Sequence, residues 1–359
     1  MIDRLLQNEH IWRRFTFVFF SVAASLALAL YALVLILDPY GLHAGRGSQT
    51  PIMDLNQRFM YPQIVRSGRY DSAVFGTSTI RLLNPERLSG AFPGRFANLG
   101  LNAGTPWEQM QLADLFLRYV PEPKTLILGI DATWCDDDAD QKKLTFRTFP
   151  PWLYDQDRTN DYPELLNLKS LEIAGRVLLN RLGFMPERIR ADGYEVFVPP
   201  EAQYDLARAR LHIWGGVPSP LALDEIAPRQ STLPGMAAGF KFPALQWLDE
   251  FLARVPSSTG VTLATMPIHV VRQPVAGTET ALRDAACKVA LADIGRRYGA
   301  AVVDFRIPSP VTRDDANYWD PLHYRVGIAD RIVIALHEAV VLGRQAPDGF
   351  YRILTPPQR

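Results

Sequence analysis

Thr125-Leu126-Ile127-Leu128-Gly129-Ile130 carries no charged side chain. A strand with one wet face alternates apolar and polar residues. A run that is apolar throughout suits a central parallel strand buried on both faces. Helical and strand patterns alternate on either side of it. Upstream, Ser72–Phe75 and Arg95–Leu101 read as strands. Asn84-Pro85-Glu86 has the form of a helix cap followed by proline at the first helical position. Thr105-Pro106-Trp107-Glu108 has the form of a capping box, and the helix it starts runs to about Tyr119. Downstream come a helix over Phe242–Arg254, a strand over Val261–Met266, a helix over Glu279–Tyr298, a strand over Ala301–Phe305 and a helix over Val326–Val341. Five strands with intervening helices predict an α/β fold with a doubly wound five-stranded parallel sheet.

The rhythm breaks between residues 136 and 239, which are rich in prolines, aromatics and charges. This stretch reads as an insertion after strand three, covering one edge or the top of a domain over 71–345. Residues 38–70 lack periodicity and read as a linker and entry segment. Residues 346–359 read as a C-terminal tail.

Phe15 to Leu37 contains no charge. As a helix it spans ~34 Å, enough to cross a hydrocarbon core of ~30 Å. Arg4, Arg13 and Arg14 precede it. The positive-inside rule then puts a tail of residues 1–14 in the cytoplasm and the rest of the chain outside. The expected location is the inner (plasma) membrane, single-pass, with the main domain periplasmic or extracellular. A cleaved signal peptide is the rival reading, but signal cores are shorter and no clean A-x-A site follows.

Composition narrows the function classes. Of 359 residues 48% are hydrophobic and the formal net charge is zero, so a large core is affordable and no basic excess supports nucleic-acid binding. Two cysteines, Cys135 and Cys287, cannot make a disulfide framework or a cysteine-rich zinc site. Two unpaired buried thiols are the expectation, with one bridge as the alternative in an oxidising compartment.

Two short segments carry chemistry. Phe75-Gly76-Thr77-Ser78-Thr79 puts a hydroxyl on the turn leaving the first strand, the sheet edge where open α/β folds bind ligands. Asp320-Pro321-Leu322-His323 puts a carboxylate and an imidazole on the loop after the fifth strand, facing the same edge. A serine needs a base within hydrogen-bond reach, and the base needs an orienting partner. Ser78, His323 and Asp320 are therefore the candidate nucleophile, base and orienting acid.

With Gly76-Thr77-Ser78, Asn98-Leu99-Gly100-Leu101-Asn102-Ala103-Gly104 and Asp320-x-x-His323 in these places, the chain resembles the SGNH (GDSL-like) hydrolase superfamily. The likeness covers 71–130 and 261–341. Threonine where the family usually has aspartate resembles its membrane-anchored envelope branch. That branch includes the D-alanyl-lipoteichoic acid biosynthesis protein and proteins of polysaccharide acetylation. The resemblance implies a flavodoxin-like strand order and ester chemistry through an acyl-serine, as esterase or O-acyltransferase. It further implies an envelope glycan substrate, a membrane-bound O-acyltransferase as partner, and no metal or organic cofactor. It also implies the Gly104 N–H as an oxyanion donor, while Asn102 and the Ser78 N–H are the candidates to stand in for a donor that the family's third block lacks here. The family's third block departs here. Ile130 stands where a donor asparagine is usual, and loss of one such donor can cost ~100-fold in rate. A catalytically reduced module that binds glycan or scaffolds an acylation complex is the second reading.

Other residues near the expected site have double readings. His269 follows strand four, as a substrate contact or a surface-loop histidine. Trp107 and Trp134 flank the site, as sugar-stacking faces or as core. Asp131 is placed to shape the loop beneath it.

Overall fold

The computed structural model describes residues 2–215 and 239–357. Residues 216–238 of the expected insertion, residue 1 and residues 358–359 lie outside the described residues. The elements are α1 Ile2–Leu37, α2 Gln57–Arg66, β1 Ser72–Gly76, α3 Pro85–Ala91, β2 Phe96–Gly100, α4 Pro106–Tyr119, β3 Thr125–Ile130, α5 Asp161–Glu164, α6 Leu168–Arg181, α7 Leu206–Trp214, α8 Pro243–Leu252, β4 Gly260–Thr265, α9 Glu279–Tyr298, β5 Ala301–Asp304, α10 Val326–Val340 and β6 Arg352–Thr355.

The strands form one mixed sheet in the order β2-β1-β3-β4-β5-β6. The first five are parallel, and β6 pairs antiparallel with β5. The sheet thus has six strands where five were expected, and part of the expected C-terminal tail is its edge strand. Every residue of β1, β2 and β3 is buried, as a sheet covered on both faces requires. Side chains alternate between two cores. Ala73, Phe75, Leu126, Leu128 and Ile130 pack with α2, α4, α8 and α9 on one face. Val74 and Ile127 pack with α3 and α10 on the other. The direction of the chain reverses between β1 and β3, so their C-terminal ends form the crevice in which such sheets bind ligands.

The helix caps follow the sequence signals. Asn84 accepts the Glu86 N–H ahead of Pro85, and Thr105 and Glu108 close a capping box at the start of α4. Glu108 has a second duty. Its carboxylate receives the Arg58 guanidinium, Nε to Oε1 at 2.8 Å, with both side chains fully buried. Arg58 lies on α2, so the segment expected to be a linker is a core helix. All ten of its residues are buried, despite Pro62 in its interior.

Over Ile11–Leu37, α1 is long and apolar enough to span a membrane. Most of its side chains are exposed apart from the last turns, where Val34 and Leu37 enter the main core. The insertion runs along the β2 edge, where Asp192 O accepts the Asn98 N–H at 2.8 Å. That contact covers backbone groups an edge strand would leave open. Cys135 and Cys287 form a disulfide, against the expectation of two free thiols. The bond ties the turn after β3 to α9 across 152 residues of chain.

Candidate active site

Ser78 opens a short 3₁₀ turn, Ser78–Ile80, that folds back over the end of the sheet. The turn can lie this low because the neighbouring strands offer glycine beneath it. A Cβ at Gly100 would stand 2.4 Å from Ile80 Cδ1, and one at Gly129 2.3 Å from Ile80 Cγ2. Asn98 secures the turn from below. Its Nδ2 donates to the carbonyls of Ile80 (2.9 Å), Arg81 (3.2 Å) and Leu83 (2.9 Å), while its Oδ1 accepts the Gly100 N–H. The Tyr324 hydroxyl donates to the Thr79 carbonyl, joining the serine turn to the loop that carries His323.

That loop is a small hairpin in which Tyr318 bridges Tyr324 and the Trp319 N–H donates to His323 O at 2.8 Å. Asp320 Oδ1 accepts the N–H groups of Leu322 and His323 at 2.8 and 3.0 Å. Its Oδ2 lies 2.7 Å from His323 Nδ1. His323 Nε2 lies 2.8 Å from Ser78 Oγ, a contact between residues 245 apart in sequence. Burial alone would raise the Asp320 carboxyl. The imidazole beside it and the two backbone N–H donors outweigh burial and hold it below its ordinary value. An ionised carboxylate can only accept, so Nδ1 carries the proton and Nε2 is left as an acceptor facing the serine hydroxyl.

The three side chains line a cleft of about 350 Å³ together with Leu55, Gln57, Arg81, Asn102, Arg147, Glu195, Phe197 and Trp319. Sequence reasoning missed the wall formed by Arg147, Glu195 and Phe197, all from the insertion. The Phe197 ring meets the His323 imidazole edge-on, centroids 5.1 Å apart, and Arg81 lies over its face while pairing with Glu195. In sequence Asn98 stands out only as part of a motif. Its signal was chemical: an amide inside the otherwise apolar strand Phe96-Ala97-Asn98-Leu99-Gly100 must find buried partners.

Not every expected donor or contact is at the cleft. The Gly104 N–H is used within its own turn, donating to Leu101 O at 3.0 Å, and Gly104 is not in the cleft wall. Asn102 is in the wall, and its side-chain amide has no hydrogen-bond partner among the described residues. Ile130 is buried in the core. Trp134 is fully buried, and Trp107 is half-buried against Phe149, centroids 5.3 Å apart, so both pack rather than line the cleft. Asp131 caps the turn after β3, its Oδ1 accepting the Thr133 N–H at 2.9 Å.

His269 is fully buried behind the loop that carries His323, so it is not a surface residue and does not line the cleft. Its N–H donates to Pro321 O at 2.9 Å, and its Nδ1 accepts the Val271 N–H. Nε2 stands 3.1 Å from Asp315 Oδ1, without the alignment of a good hydrogen bond. Burial pushes the imidazole below its ordinary value, outweighing the pull of Asp315 and Asp314. Trp214 of α7 and Tyr318 meet its ring edge-on, so the insertion braces this loop too. No family model matches the chain, and no curated protein matches it.

Proposed function

We propose that the protein performs serine-dependent ester chemistry on the acyl groups of a cell-envelope glycan, as an esterase or an O-acyltransferase. The observation that carries this reading is the hydrogen-bonded series Ser78–His323–Asp320 opening on a cleft. Ser78 Oγ attacks the ester carbonyl carbon while His323 Nε2 takes the hydroxyl proton, and Asp320 stabilises the imidazolium that forms. The Ser78 N–H and the Asn102 amide are the donors offered to the oxyanion. Collapse breaks the ester C–O bond, the leaving alcohol receives the proton from His323, and the acyl group remains on Ser78. Water or a sugar hydroxyl then attacks the acyl-serine by the same steps in reverse.

The anchor reading supports an envelope substrate. With Arg13 and Arg14 before the apolar helix, the rule of positive charge inside puts the domain on the outer side of the plasma membrane. The Cys135–Cys287 bond fits an oxidising compartment. A membrane-bound O-acyltransferase is the partner that a transferase of this kind requires as a source of acyl groups. The resemblance to SGNH hydrolases agrees in the placing of Ser78, Asp320 and His323.

A second reading has its own observation. With Ile130 in the core and the Gly104 N–H engaged, the oxyanion has fewer donors than the resemblance implies. A glycan-binding or scaffolding module would tolerate that loss. Envelope glycan acetylation decides between them. Cells lacking the protein should have their altered acetylation restored by the full chain and not by Ser78→Ala. Full restoration by Ser78→Ala would favour the binding module.

A further inference from the structure

The insertion helix α6 is apolar on two opposite sides. Ser170, Ile173, Ala174 and Val177 are buried against the domain. At ~100° per residue, Leu168, Leu171, Leu178, Leu179 and Leu182 fall in a stripe ~100° wide on the other side. Leu168 is 85% exposed and Leu182 59%, and Phe184 just beyond is 77% exposed. A surface helix needs one apolar stripe to bind its core. Leu171 is half-buried against the main core, but the rest of the second stripe is left exposed by packing among the described residues. Glu172, the acid bordering it, is paired with Lys169 and Arg176.

The position of α6 indicates what covers the stripe. Past Arg13 and Arg14, the uncharged part of α1 runs from Phe15 to Leu37. Upright, it would measure ~34 Å against a hydrocarbon core of ~30 Å, so its last turn reaches the interfacial layer. The domain grips α1 on its last two turns. Arg181 at the end of α6 donates to Leu37 O at 3.1 Å, and Tyr31 donates to Tyr162 O, also at 3.1 Å. Tyr40, just past the helix, bonds to Ser170 of α6 at 3.1 Å. The helix with the second stripe is therefore fastened to the end of α1, where it passes from the hydrocarbon into the interfacial layer.

We propose that the outer stripe of α6, continued by Phe184, lies in the interfacial layer of the bilayer, so that the domain stands directly on the membrane with its cleft at a fixed height. The inference rests on the reading of α1 as a membrane anchor. Long apolar side chains beside a membrane helix bind that layer by the area they remove from water. Held this way, the cleft meets acyl or glycan groups presented close to the membrane and not those far out in the envelope.

The test uses the full chain with one added cysteine, Leu182→Cys or Phe184→Cys, carrying an environment-sensitive fluorophore. The native cysteines are buried and bonded to each other, so they do not label. The chain is reconstituted into phosphatidylethanolamine–phosphatidylglycerol vesicles containing lipids with a nitroxide at a shallow or a deep acyl position. Controls are Leu26→Cys in the middle of α1 and Ile334→Cys, exposed on α10 across the sheet. Blue-shifted emission at 182 and 184, with loss of intensity to the shallow nitroxide and none at 334, is expected. Quenching at 26 with 182 and 184 behaving like 334 overturns the docking and leaves the anchor standing. No quenching at 26 by the deep nitroxide overturns the anchor and the docking with it.

Discussion

Asn98 carries more of the site than its place in the sequence suggests. One amide holds three carbonyls at and just after the end of the serine turn, and the N–H of Gly100. Asn98→Ala strands those groups in a buried place, where each unmet group costs ~1–3 kcal/mol. The variant should lose about 3 kcal/mol of stability and react more slowly at Ser78. Thermal unfolding and the rate of covalent labelling measure the two effects. His269 gives a prediction in pH. The fold keeps its imidazole neutral by burial. As pH falls below the ordinary imidazole value, the unfolded chain takes up a proton that the native state refuses. Stability then falls by up to ~1.4 kcal/mol per pH unit until the folded group titrates. His269→Gln should flatten that part of the profile, seen as a smaller drop in thermal midpoint between pH 7.5 and 5.5. An equal drop in both proteins would remove His269 from the account. Its role was not legible in sequence. Its place after β4 gave the right end of the sheet, but not that its side chain turns inward behind the loop.

At the scale of elements, legibility followed burial of backbone and spacing of apolar residues. β3 was read to the residue because both of its faces are covered. The box of Thr105 and Glu108 marked the start of α4 because caps are satisfied locally. α2 escaped because its burial depends on distant partners. Arg58 needs Glu108, and Arg66 reaches Leu153 O at 2.8 Å. β6 escaped because four residues bear too little pattern, and it is defined by pairing with β5. The disulfide joins cysteines too distant in sequence for spacing to speak. Ile80 supplies the test at this scale. Gly129→Ala forces a methyl group into the space of the Ile80 side chain, with overpacking expected to cost ~1–3 kcal/mol. The displaced turn should carry Ser78 away from His323, lowering the labelling rate more than Ala substitution at an exposed glycine of ordinary backbone such as Gly327, where nothing lies within 4 Å.

For the molecule as a whole, the insertion changes most between sequence and structure. It was expected to cover an edge or the top. It does run along β2, but it also walls the cleft with Arg147, Glu195 and Phe197, and its helix α6 meets α1. One segment thus touches sheet edge, candidate site and apolar helix, and no periodic pattern could announce that. The central claim is that the fold activates Ser78 through His323. Reacting the folded full chain with a fluorophosphonate and mapping the adduct by peptide mass tests it most directly. The account predicts one adduct, on Ser78, absent in Ser78→Ala and slowed by orders of magnitude in His323→Ala. No adduct on the folded protein, or an adduct on another residue that persists in Ser78→Ala, would contradict it.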